Sequence, residues 1–405
     1  MSFLKNGILI TKRGFLINAI LFFIFFTSYF VISFHIPRQI IPSADDRLVA
    51  QVSLHFIIAI TLLLTSFFIH RINKLRLIYA SSIATSIITV LLFFVSNEVL
   101  KLAIILATGI FFSTGLLAFS TYFWNLTVPE ERGRIAGLIG LVSLPFYFIV
   151  DYLVAPTLDF LRTVMLSIVL SLGPIVIVLL RPEKAVPTAK KDGRGNYPEK
   201  RTVLLYSIPW IIFSLINSTL AKNISLNILQ QTSSSFYLSI IVLQGIGVIF
   251  GAACGGIIAD FFGRRLSLAF SLTLYGISSA LAGLVNNYAM FCFVYVANGL
   301  SWGILLILYS FVIWGDLANK ENCAKMYSIG LITLYLTIGV GLLPMQIAQI
   351  PLVVSSLASC LLIFVSNVPL ILAPELLPSD FREKIKLKLH MHAVRKIGNQ
   401  SKNQG

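Results

Sequence analysis

Long apolar runs separated by short polar turns dominate this chain of 405 residues. A helix that crosses a membrane needs about 20 consecutive apolar residues, and the sequence holds twelve runs of roughly that length. Their predicted bounds are residues 15–35, 48–69, 76–96, 102–127, 135–157, 160–180, 203–221, 236–259, 266–286, 288–314, 326–347 and 351–373. The pattern predicts an all-α protein that crosses the membrane twelve times.

The composition agrees with a polytopic membrane protein. Hydrophobic residues make up 57% of the chain and charged residues 12%, with a mean hydropathy of +0.89, whereas soluble domains carry about 25% charge. The net charge of +15 does not indicate a nucleic-acid partner, because the basic residues are dispersed between apolar runs. The four cysteines show no CxxC spacing and no His partner, so neither a disulfide framework nor a metal site is expected.

The distribution of basic residues predicts the orientation of the helices. Lys and Arg accumulate in the cytoplasmic loops of membrane proteins. With the N-terminus placed inside, 26 of the 31 basic residues fall on the inner side and 5 on the outer side. We therefore expect a multi-pass protein of the plasma membrane with both termini in the cytoplasm, in contact with an anionic inner leaflet.

A polar stretch over residues 181–202, rich in Pro, Gly and Lys, divides the chain in two. It lacks apolar periodicity and predicts a flexible cytoplasmic linker. The expected domains are a six-helix bundle over residues 1–180, the linker, a six-helix bundle over 203–374 and a basic tail over 375–405. In the tail, Phe381, Ile385 and Leu389 recur every fourth residue, which predicts either a short amphipathic helix on the inner leaflet or a solvated segment.

The two halves share a polar turn after their second helix. The second-half turn reads Gly256-xxx-Asp260-xx-Gly263-Arg264-Arg265, and the first-half turn reads Ser66-xxx-His70-Arg71-x-Asn73-Lys74. His70 stands in the place of Asp260, and Asn73, which tolerates a left-handed backbone, stands in the place of Gly263. Residues 129–137 and 319–330, after each fourth helix, correspond more loosely. The chain is therefore expected to fold as two pseudosymmetric bundles.

These features together resemble the major facilitator superfamily of secondary transporters. The resemblance is carried by the second-half turn, by Pro-Glu-Glu-Arg-Gly-Arg at residues 129–134, by the six-plus-six helix count and by the basic linker. The predicted topology resembles that of the superfamily over the whole chain, whereas the sequence motifs resemble it only at the two turns. The resemblance implies the fold of that superfamily, with two bundles that rock about a mid-membrane site. The chain departs from the family pattern in the first-half turn and in a fourth helix without Arg.

The resemblance also suggests a role for Asp260. In the superfamily the equivalent carboxylate docks on the start of a helix in the opposite bundle, here the fifth. Such a contact contributes about 0.3–2 kcal/mol, so Asp260 is a candidate latch; a loop acid held by Arg264 is the alternative. The first-half copy should form the weaker latch. The expected cytoplasmic gate residues are Gly256, Asp260, Gly263, Arg264, Arg265, Arg132, Arg134, His70 and Arg71.

Ionisable residues inside the predicted helices are candidates for coupling transport to an ion gradient. Asp151, toward the outer end of the fifth helix, is either a proton or cation site or a hydrated acid near a helix end. His55, in the second helix, is either a proton switch or a structural histidine. His35 and Asp159 are expected at the membrane interface. No cofactor is expected beyond an ion gradient, with protons as the first candidate.

The resemblance places the substrate between the first, fourth, seventh and tenth helices. Polar or aromatic residues at suitable depth are Asn298, Gln244, Asn217, Tyr29, Trp210 and Trp302. Asn298 is either a ligand residue or a hydrogen-bonding link between helices. Because no Lys or Arg lies in the core, the expected solute is neutral, amphiphilic or weakly cationic. Trp124 and Trp314, near the cytoplasmic ends, are expected as aromatic-belt residues.

The sequence thus predicts a monomeric secondary active transporter or facilitator for a small solute. A membrane enzyme would need a cluster of catalytic groups, and Asp151 and His55 are too isolated to form one. A nucleotide-driven pump would need a phosphate-binding loop that the sequence lacks. A non-transporting scaffold or sensor on the same fold is the remaining alternative, which the degenerate first-half turn would suit.

Overall fold

The computed structural model describes residues 10–177, 199–231, 233–284, 287–343, 350–378 and Glu383. All regular elements in these residues are helices, and eleven are long and apolar enough to cross a membrane. They are α1 (Lys12–Ile40), α2 (Ala44–Arg71), α3 (Lys74–Phe93), α4 (Glu98–Leu126), α5 (Pro129–Thr157), α7 (Lys200–Gln230), α8 (Ser235–Phe262), α9 (Arg264–Leu284), α10 (Tyr288–Leu317), α11 (Cys323–Leu342) and α12 (Leu352–Leu372). The shorter α6 spans Phe160–Val176. The prediction of an all-α polytopic fold is confirmed.

The helices pack in two groups that correspond to the two halves of the chain. In the first half, α1 packs on α5 and α6, and α4 packs on α2 and α3; in the second half, α7 packs on α11 and α12, and α10 packs on α8 and α9. The halves meet where α5 contacts α8 and where α2 contacts α11. Each of these contacts joins the second helix of one half to the fifth helix of the other, so the arrangement is pseudosymmetric. We call the end that carries the α8–α9 turn the inner end, and the opposite end the outer end.

Glycines place α8 in close contact with two other helices. A Cβ at Gly251 would lie 2.1 Å from the carbonyl oxygen of Leu300 in α10. A Cβ at Gly256 would lie 2.1 Å from the carbonyl oxygen of Gly133 in α5. Small residues let helix backbones approach closely in a membrane, where packing replaces the hydrophobic drive. The α8 helix is therefore held between α10 of its own bundle and α5 of the other.

Most helices begin a few residues earlier than the sequence pattern predicts, and two of these starts bear on the predicted turns and linker. The α5 helix begins at Pro129 rather than near residue 135, because Pro suits the first helical position and Glu130 and Glu131 complement the helix dipole. The α7 helix begins at Lys200, so the last residues of the expected linker are helical. Residues 178–198, 379–382 and 384–405 lie outside the described residues. These ranges contain the rest of the expected linker and, apart from Glu383, the predicted tail helix.

Three of the described helices contain π-helical segments. They are Val31–His35 in α1, Ile149–Val154 in α5 and Leu308–Val312 in α10. Such segments occur often at functional sites. In α1 the segment is followed by Pro37, which has no N–H to continue the α-helical hydrogen bonds. The α7 helix is interrupted at Thr219, with φ −114° and ψ −78°.

We expect Gly251→Ala to destabilise the protein by about 1–3 kcal/mol, the usual cost of overpacking, because its methyl group would collide with the α10 backbone. Gly276 provides a matched control within a helix, since the nearest atom to a Cβ there is a side-chain carbon of Ile363 at 3.3 Å. Gly276→Ala should have little effect. Thermal unfolding of the purified variants in detergent measures both, and equal melting temperatures would contradict the close α8–α10 packing.

Candidate gate and solute site

The carboxylate of Asp260 lies against the first turns of α5. Its Oδ1 accepts a hydrogen bond from the backbone N–H of Gly133 at 3.0 Å, and its Oδ2 accepts one from the backbone N–H of Arg134 at 2.7 Å. The Nε of Arg134 also donates to Oδ2, at 3.1 Å. Asp260 is 1% exposed. The contact that the sequence predicted between Asp260 and the fifth helix is present.

Two glycines make this contact possible. A Cβ at Gly133 would lie 2.4 Å from Oδ1 of Asp260, so any other residue there would displace the carboxylate. Gly256 stands one turn before Asp260, on the same face of α8. Because neither Gly133 nor Gly256 has a side chain, the two backbones touch and the carboxylate reaches the amides.

A second buried acid, Asp316 near the end of α10, belongs to the same network. It accepts hydrogen bonds from Nη1 of Arg132 in α5 and, at 2.8 Å, from Nε of Arg264 in α9. Arg264 also donates to Asp260 at 2.5 Å and to the carbonyl of Pro129 at 2.5 Å. The sequence analysis missed Asp316, although an acid in the last turn of an otherwise apolar helix was a signal that could have identified it.

Glu375, directly after α12, extends the network to the start of α9. Its carboxylate accepts hydrogen bonds from the backbone N–H of Arg264 at 2.7 Å and of Arg265 at 3.2 Å. A carboxylate at a helix N-terminus is favourable because it satisfies unpaired amides and complements the helix dipole. Residue 375, expected as the first residue of a tail, is thus part of the folded bundle.

We call this set of hydrogen-bonded side chains the inner cluster; its members are Arg132, Arg134, Asp260, Arg264, Asp316 and Glu375. The first bundle contributes two positive charges, from Arg132 and Arg134. The second bundle contributes three carboxylates and one guanidinium, a net charge of −2. The two bundles therefore carry equal and opposite charge within this cluster. The four ion pairs join side chains that are at most 4% exposed, where Coulomb attraction is weakly screened.

The turn residues beside the cluster differ from their expected roles. Arg264, expected as a gate residue in a polar turn, is fully buried and binds both Asp260 and Asp316. Arg265 remains near the surface and donates to the carbonyl of Ala373 at 3.2 Å. Gly263 has φ +108°, a conformation that other residues adopt only with strain. Asn73 does not match it: with φ −65° it caps the start of α3.

The first-half turn forms no comparable network within the described residues. His70 is exposed, and its side chain accepts a hydrogen bond from Nε of Arg71 at 3.3 Å. Opposite this turn, the ammonium of Lys325 at the start of α11 lies 5.3 Å from the centre of the Phe67 ring. His70 and Arg71 are therefore separate from the contacts of Asp260, and the two turns are unequal.

Aromatic side chains fill the space between the bundles beside the inner cluster. The ring of Phe311 in α10 packs on three rings of the first bundle, Phe22, Phe119 and Phe123, at centroid distances of 5.2, 5.9 and 4.7 Å. Trp124 donates from Nε1 to the carbonyl of Gly315 at 2.9 Å across the interface. Trp124 and Trp314 are both buried, so the aromatic-belt prediction was wrong for both.

Three of the six predicted substrate residues line one cavity inside the second bundle. Its volume is about 160 Å³, and Asn217, Gln244 and Asn298 contribute polar groups to its wall. Gln244 Nε2 donates to Asn298 Oδ1 at 2.8 Å, and the hydroxyl of Tyr275 donates to Asn217 Oδ1 at 3.2 Å. Asn298 therefore links two helices and lines a cavity at the same time. The other lining residues are Ala221, Lys222, Ile224, Ser225, Ser278, Ser279, Ala282, Val294 and Tyr295.

The other three predicted substrate residues lie outside this cavity. Tyr29 is buried, and its hydroxyl lies 2.8 Å from Nε2 of His55. Trp210 is buried and donates from Nε1 to the carbonyl of Gly330 at 2.8 Å. Trp302 is partly buried and packs on the hydrophobic core.

The two coupling candidates have different partners. Nδ1 of His55 lies 2.6 Å from the carbonyl of Gln51 and must carry a proton to bond it, so Nε2 accepts from Tyr29. Asp151 is paired with Nε2 of His35 at 2.8 Å. The expectation that Asp151 is isolated was therefore wrong, because His35, expected at the membrane interface, is its partner. Sequence spacing gave no signal for this pair, because three helices lie between its members along the chain.

We expect Asp316→Asn to destabilise the protein by about 3–5 kcal/mol, because it removes one partner of a buried ion pair and leaves Arg132 and Arg264 undercompensated. Asp159 supplies the matched control, since its side chain is 63% exposed and Asn also caps helices well. Denaturant unfolding in micelles measures the two variants. A stability loss no larger for Asp316→Asn than for Asp159→Asn would contradict the geometry of the inner cluster.

Comparisons with known proteins agree with this architecture. Residues 210–347 match a family model described as "Sugar (and other) transporter". No curated protein sequence matches the chain. The matched segment covers α7 through α11, including the inner-cluster acids Asp260 and Asp316 and the cavity.

Solved structures share the fold at low sequence identity. The E. coli fucose:proton symporter FucP, in the outward conformation, superimposes with a TM-score of 0.70 at 10% identity, over 88% of this chain and 98% of that one. A bacterial homologue of the iron transporter ferroportin gives 0.68 at 12% identity, over 89% and 98% of the two chains. The human organic anion transporter MFSD10 gives 0.65 at 11% identity, over 89% and 99%. The chain therefore has the fold that these transporters share, and residues 210–347 are similar to the "Sugar (and other) transporter" family.

Proposed function

We propose that this transporter moves a small solute by alternating access and that the inner cluster closes its inner side. The supporting observation is the contact of Asp260 with the start of α5, since it joins the two bundles at one end through polar groups that water can solvate when they separate. Opening this end would separate two positive charges of one bundle from a net charge of −2 on the other. The cluster is therefore suited to a contact that forms and breaks in each cycle.

The expected strength of the contact fits a gate. A carboxylate at a helix start contributes about 0.3–2 kcal/mol, and a change of about 1.4 kcal/mol shifts a two-state population tenfold. A contact of this size biases the equilibrium without locking it. The exposed His70 turn provides no equivalent charge at α2 and α11, so we assign the main inner latch to α5 and α8.

We propose the orientation that the basic residues indicate. The inner end then faces the cytoplasm, both termini are cytoplasmic, and the protein lies in the plasma membrane as a monomer with its basic segments on an anionic leaflet. The inner cluster would accordingly close the cytoplasmic side, with the solute entering from outside.

We propose that the solute is small, uncharged and rich in hydrogen-bonding groups, and that it binds the cavity of Asn217, Gln244 and Asn298. The polar wall consists of amides and hydroxyls, with Lys222 the one charged lining residue. Amides can donate and accept, so they suit hydroxyl groups, and the wall offers no counter-charge for a strongly cationic solute. The "Sugar (and other) transporter" model that matches this half of the chain supports the same class.

Asp260→Asn should open the inner side in a larger fraction of molecules, because the uncharged amide no longer forms ion pairs with Arg134 and Arg264. Cys323, the first residue of α11 and 7% exposed, reports this opening when the other three cysteines are replaced by Ser. We expect a membrane-impermeant maleimide applied from the inner side to label Cys323 about tenfold faster, the change that about 1.4 kcal/mol produces.

His70→Asn provides the control, because it changes the corresponding exposed residue of the first half and should leave labelling unchanged. Solute flux in proteoliposomes is measured in parallel and should fall in Asp260→Asn. Unchanged flux and unchanged labelling in Asp260→Asn would contradict the proposed latch.

Asn298→Ala should weaken solute binding about 2- to 10-fold, the loss expected for one hydrogen bond of about 0.5–1.5 kcal/mol. The measurement is the concentration dependence of labelled monosaccharide and polyol uptake into proteoliposomes. Asn367→Ala is the control, because Asn367 is an amide in α12 outside the cavity wall. Equal affinities in the two variants would place the solute elsewhere.

A further inference from the structure

His35 and Asp151 form a polar contact inside the first bundle, in the outer half of the membrane-spanning helices. His35 Nε2 lies 2.8 Å from Asp151 Oδ1, and the hydroxyl of Tyr147 donates to the other carboxylate oxygen at 3.0 Å. The side chains of His35 and Asp151 are 16% and 11% exposed. Ionisable groups are costly at such a position and commonly belong to ion or proton pathways.

The backbone around this contact is unusual on both sides. His35 ends the π-helical segment Val31–His35, and Asp151 lies within the π-helical segment Ile149–Val154. Less than about 1% of residues in proteins are π-helical, yet two of the three such segments in the described helices meet here. Because each segment departs from the α-helical register, it turns side chains toward a face that an unbroken helix would not present. The backbone of both helices is thus adapted to form this pair.

The described residues place no further buried charge beside the pair. The other ionisable groups on the elements packed around it are tyrosines, a histidine and residues near the outer ends of the helices. They are Tyr29 and Arg38 of α1, Asp45, Asp46, Arg47 and His55 of α2, Glu98 and Lys101 of α4, Tyr147 and Tyr152 of α5, Asp159 and Arg162 at the start of α6, and Tyr237 of α8. Asp159 and Arg162 are exposed and pair with each other at 3.9 Å.

The charge of the pair depends on one proton. With one proton between them, imidazole and carboxyl groups carry no net charge, whether as imidazolium and carboxylate or as two neutral groups. Loss of that proton leaves an uncompensated carboxylate, whose burial is costly. The closed pair is therefore stable with its proton bound, and release of the proton requires access of water.

We infer that the His35–Asp151 pair is a proton-binding site that loads one proton from the outer side and couples its movement to the solute. This inference rests on the transport mechanism proposed above. The proton enters from outer water, is held between Nε2 and the carboxylate, and leaves to water when the site opens to the inner side. No other bond forms or breaks.

The α5 helix connects this site to two places where it contacts α8 of the second bundle. The Tyr147 ring packs on Phe26 and Phe30 of α1, at centroid distances of 4.6 and 4.9 Å. The next residue, Phe148, contacts α8 where a Cβ at Gly245 would lie 3.0 Å from its ring. The opposite end of α5 carries Arg132 and Arg134 of the inner cluster. A change in how α1 and α5 pack at the pair is therefore transmitted along α5 to the contact with Asp260.

A titration tests proton binding independently of transport. Proton uptake by the full-length protein in nanodiscs is measured between about pH 8 and pH 5, the range in which histidine changes its charge. We expect His35→Gln, Asp151→Asn and the double variant each to lose the same single proton, because the pair shares it. His70→Gln removes an exposed histidine and shows whether the measurement can detect the loss of a single proton. Asp159→Asn should take up as many protons as the unmodified protein. Uptake unchanged in Asp151→Asn, or a double loss in the double variant, would overturn the shared site.

A flux measurement tests coupling. Proteoliposomes with a trapped pH dye receive the labelled monosaccharides and polyols. In the unmodified protein an outside-acid gradient should drive solute accumulation with proton entry, whereas Asp151→Asn and His35→Gln should retain solute exchange but lose gradient-driven accumulation. Accumulation preserved in Asp151→Asn would overturn the coupling role. If the unmodified protein moves none of these solutes, the proposed solute class fails, while the titration still decides the proton site.

Discussion

The buried carboxylate of Asp260 at the start of α5 is the interaction on which the arrangement of the two bundles depends. It satisfies two backbone amides of the other bundle and neutralises Arg134 and Arg264. The contact requires Gly133 and Gly256, because a side chain at either position would separate the helices. It also requires Asp316, since Arg132 and Arg264 would otherwise be buried with too few negative partners. A helix start, two glycines and a balanced set of ions thus form one structural unit.

The two halves of the chain differ at the positions of the proposed gate and the proposed solute site. His70 and Asp260 occupy the same place in the two halves of the chain. The difference between their residue numbers also relates Ser66 to Gly256 and Lys74 to Arg264, and we call it the shift between the halves. In the first half these positions form an exposed turn rather than a buried network. The same shift relates three residues of the first half, Thr27, Leu54 and Thr108, to the cavity residues Asn217, Gln244 and Asn298. The second half therefore holds both the acids of the gate and the amides of the cavity, while the first half supplies Arg132, Arg134 and the His35–Asp151 pair.

This division of roles has a mechanical consequence. The α8 helix is bound tightly to α10 through glycines and carries Asp260 at its inner end, so the cavity and the latch residues of the second bundle move together. The α5 helix carries the arginines at one end and Asp151 near the other. The contact between α5 and α8 is therefore the place where solute binding, proton binding and gate closure can influence one another.

The sequence by itself determined that this is a polytopic membrane protein, and it gave the number and order of the apolar helices to within a few residues. Those features follow from local composition and from the hydrophobic pattern. The docking of Asp260 on the fifth helix was expected from the resemblance of its turn to the major facilitator superfamily. Only the tertiary structure showed Asp316, Glu375 and His35 as partners, and it separated the three cavity residues from Tyr29, Trp210 and Trp302. Sequence periodicity assigns a residue to one face of its own helix. Its partners on other helices depend on how each helix is rotated about its axis and on how far it is shifted along its neighbour. The π-helical segments and the glycine contacts change the rotation and the shift, and neither of these features is visible in the hydrophobic pattern.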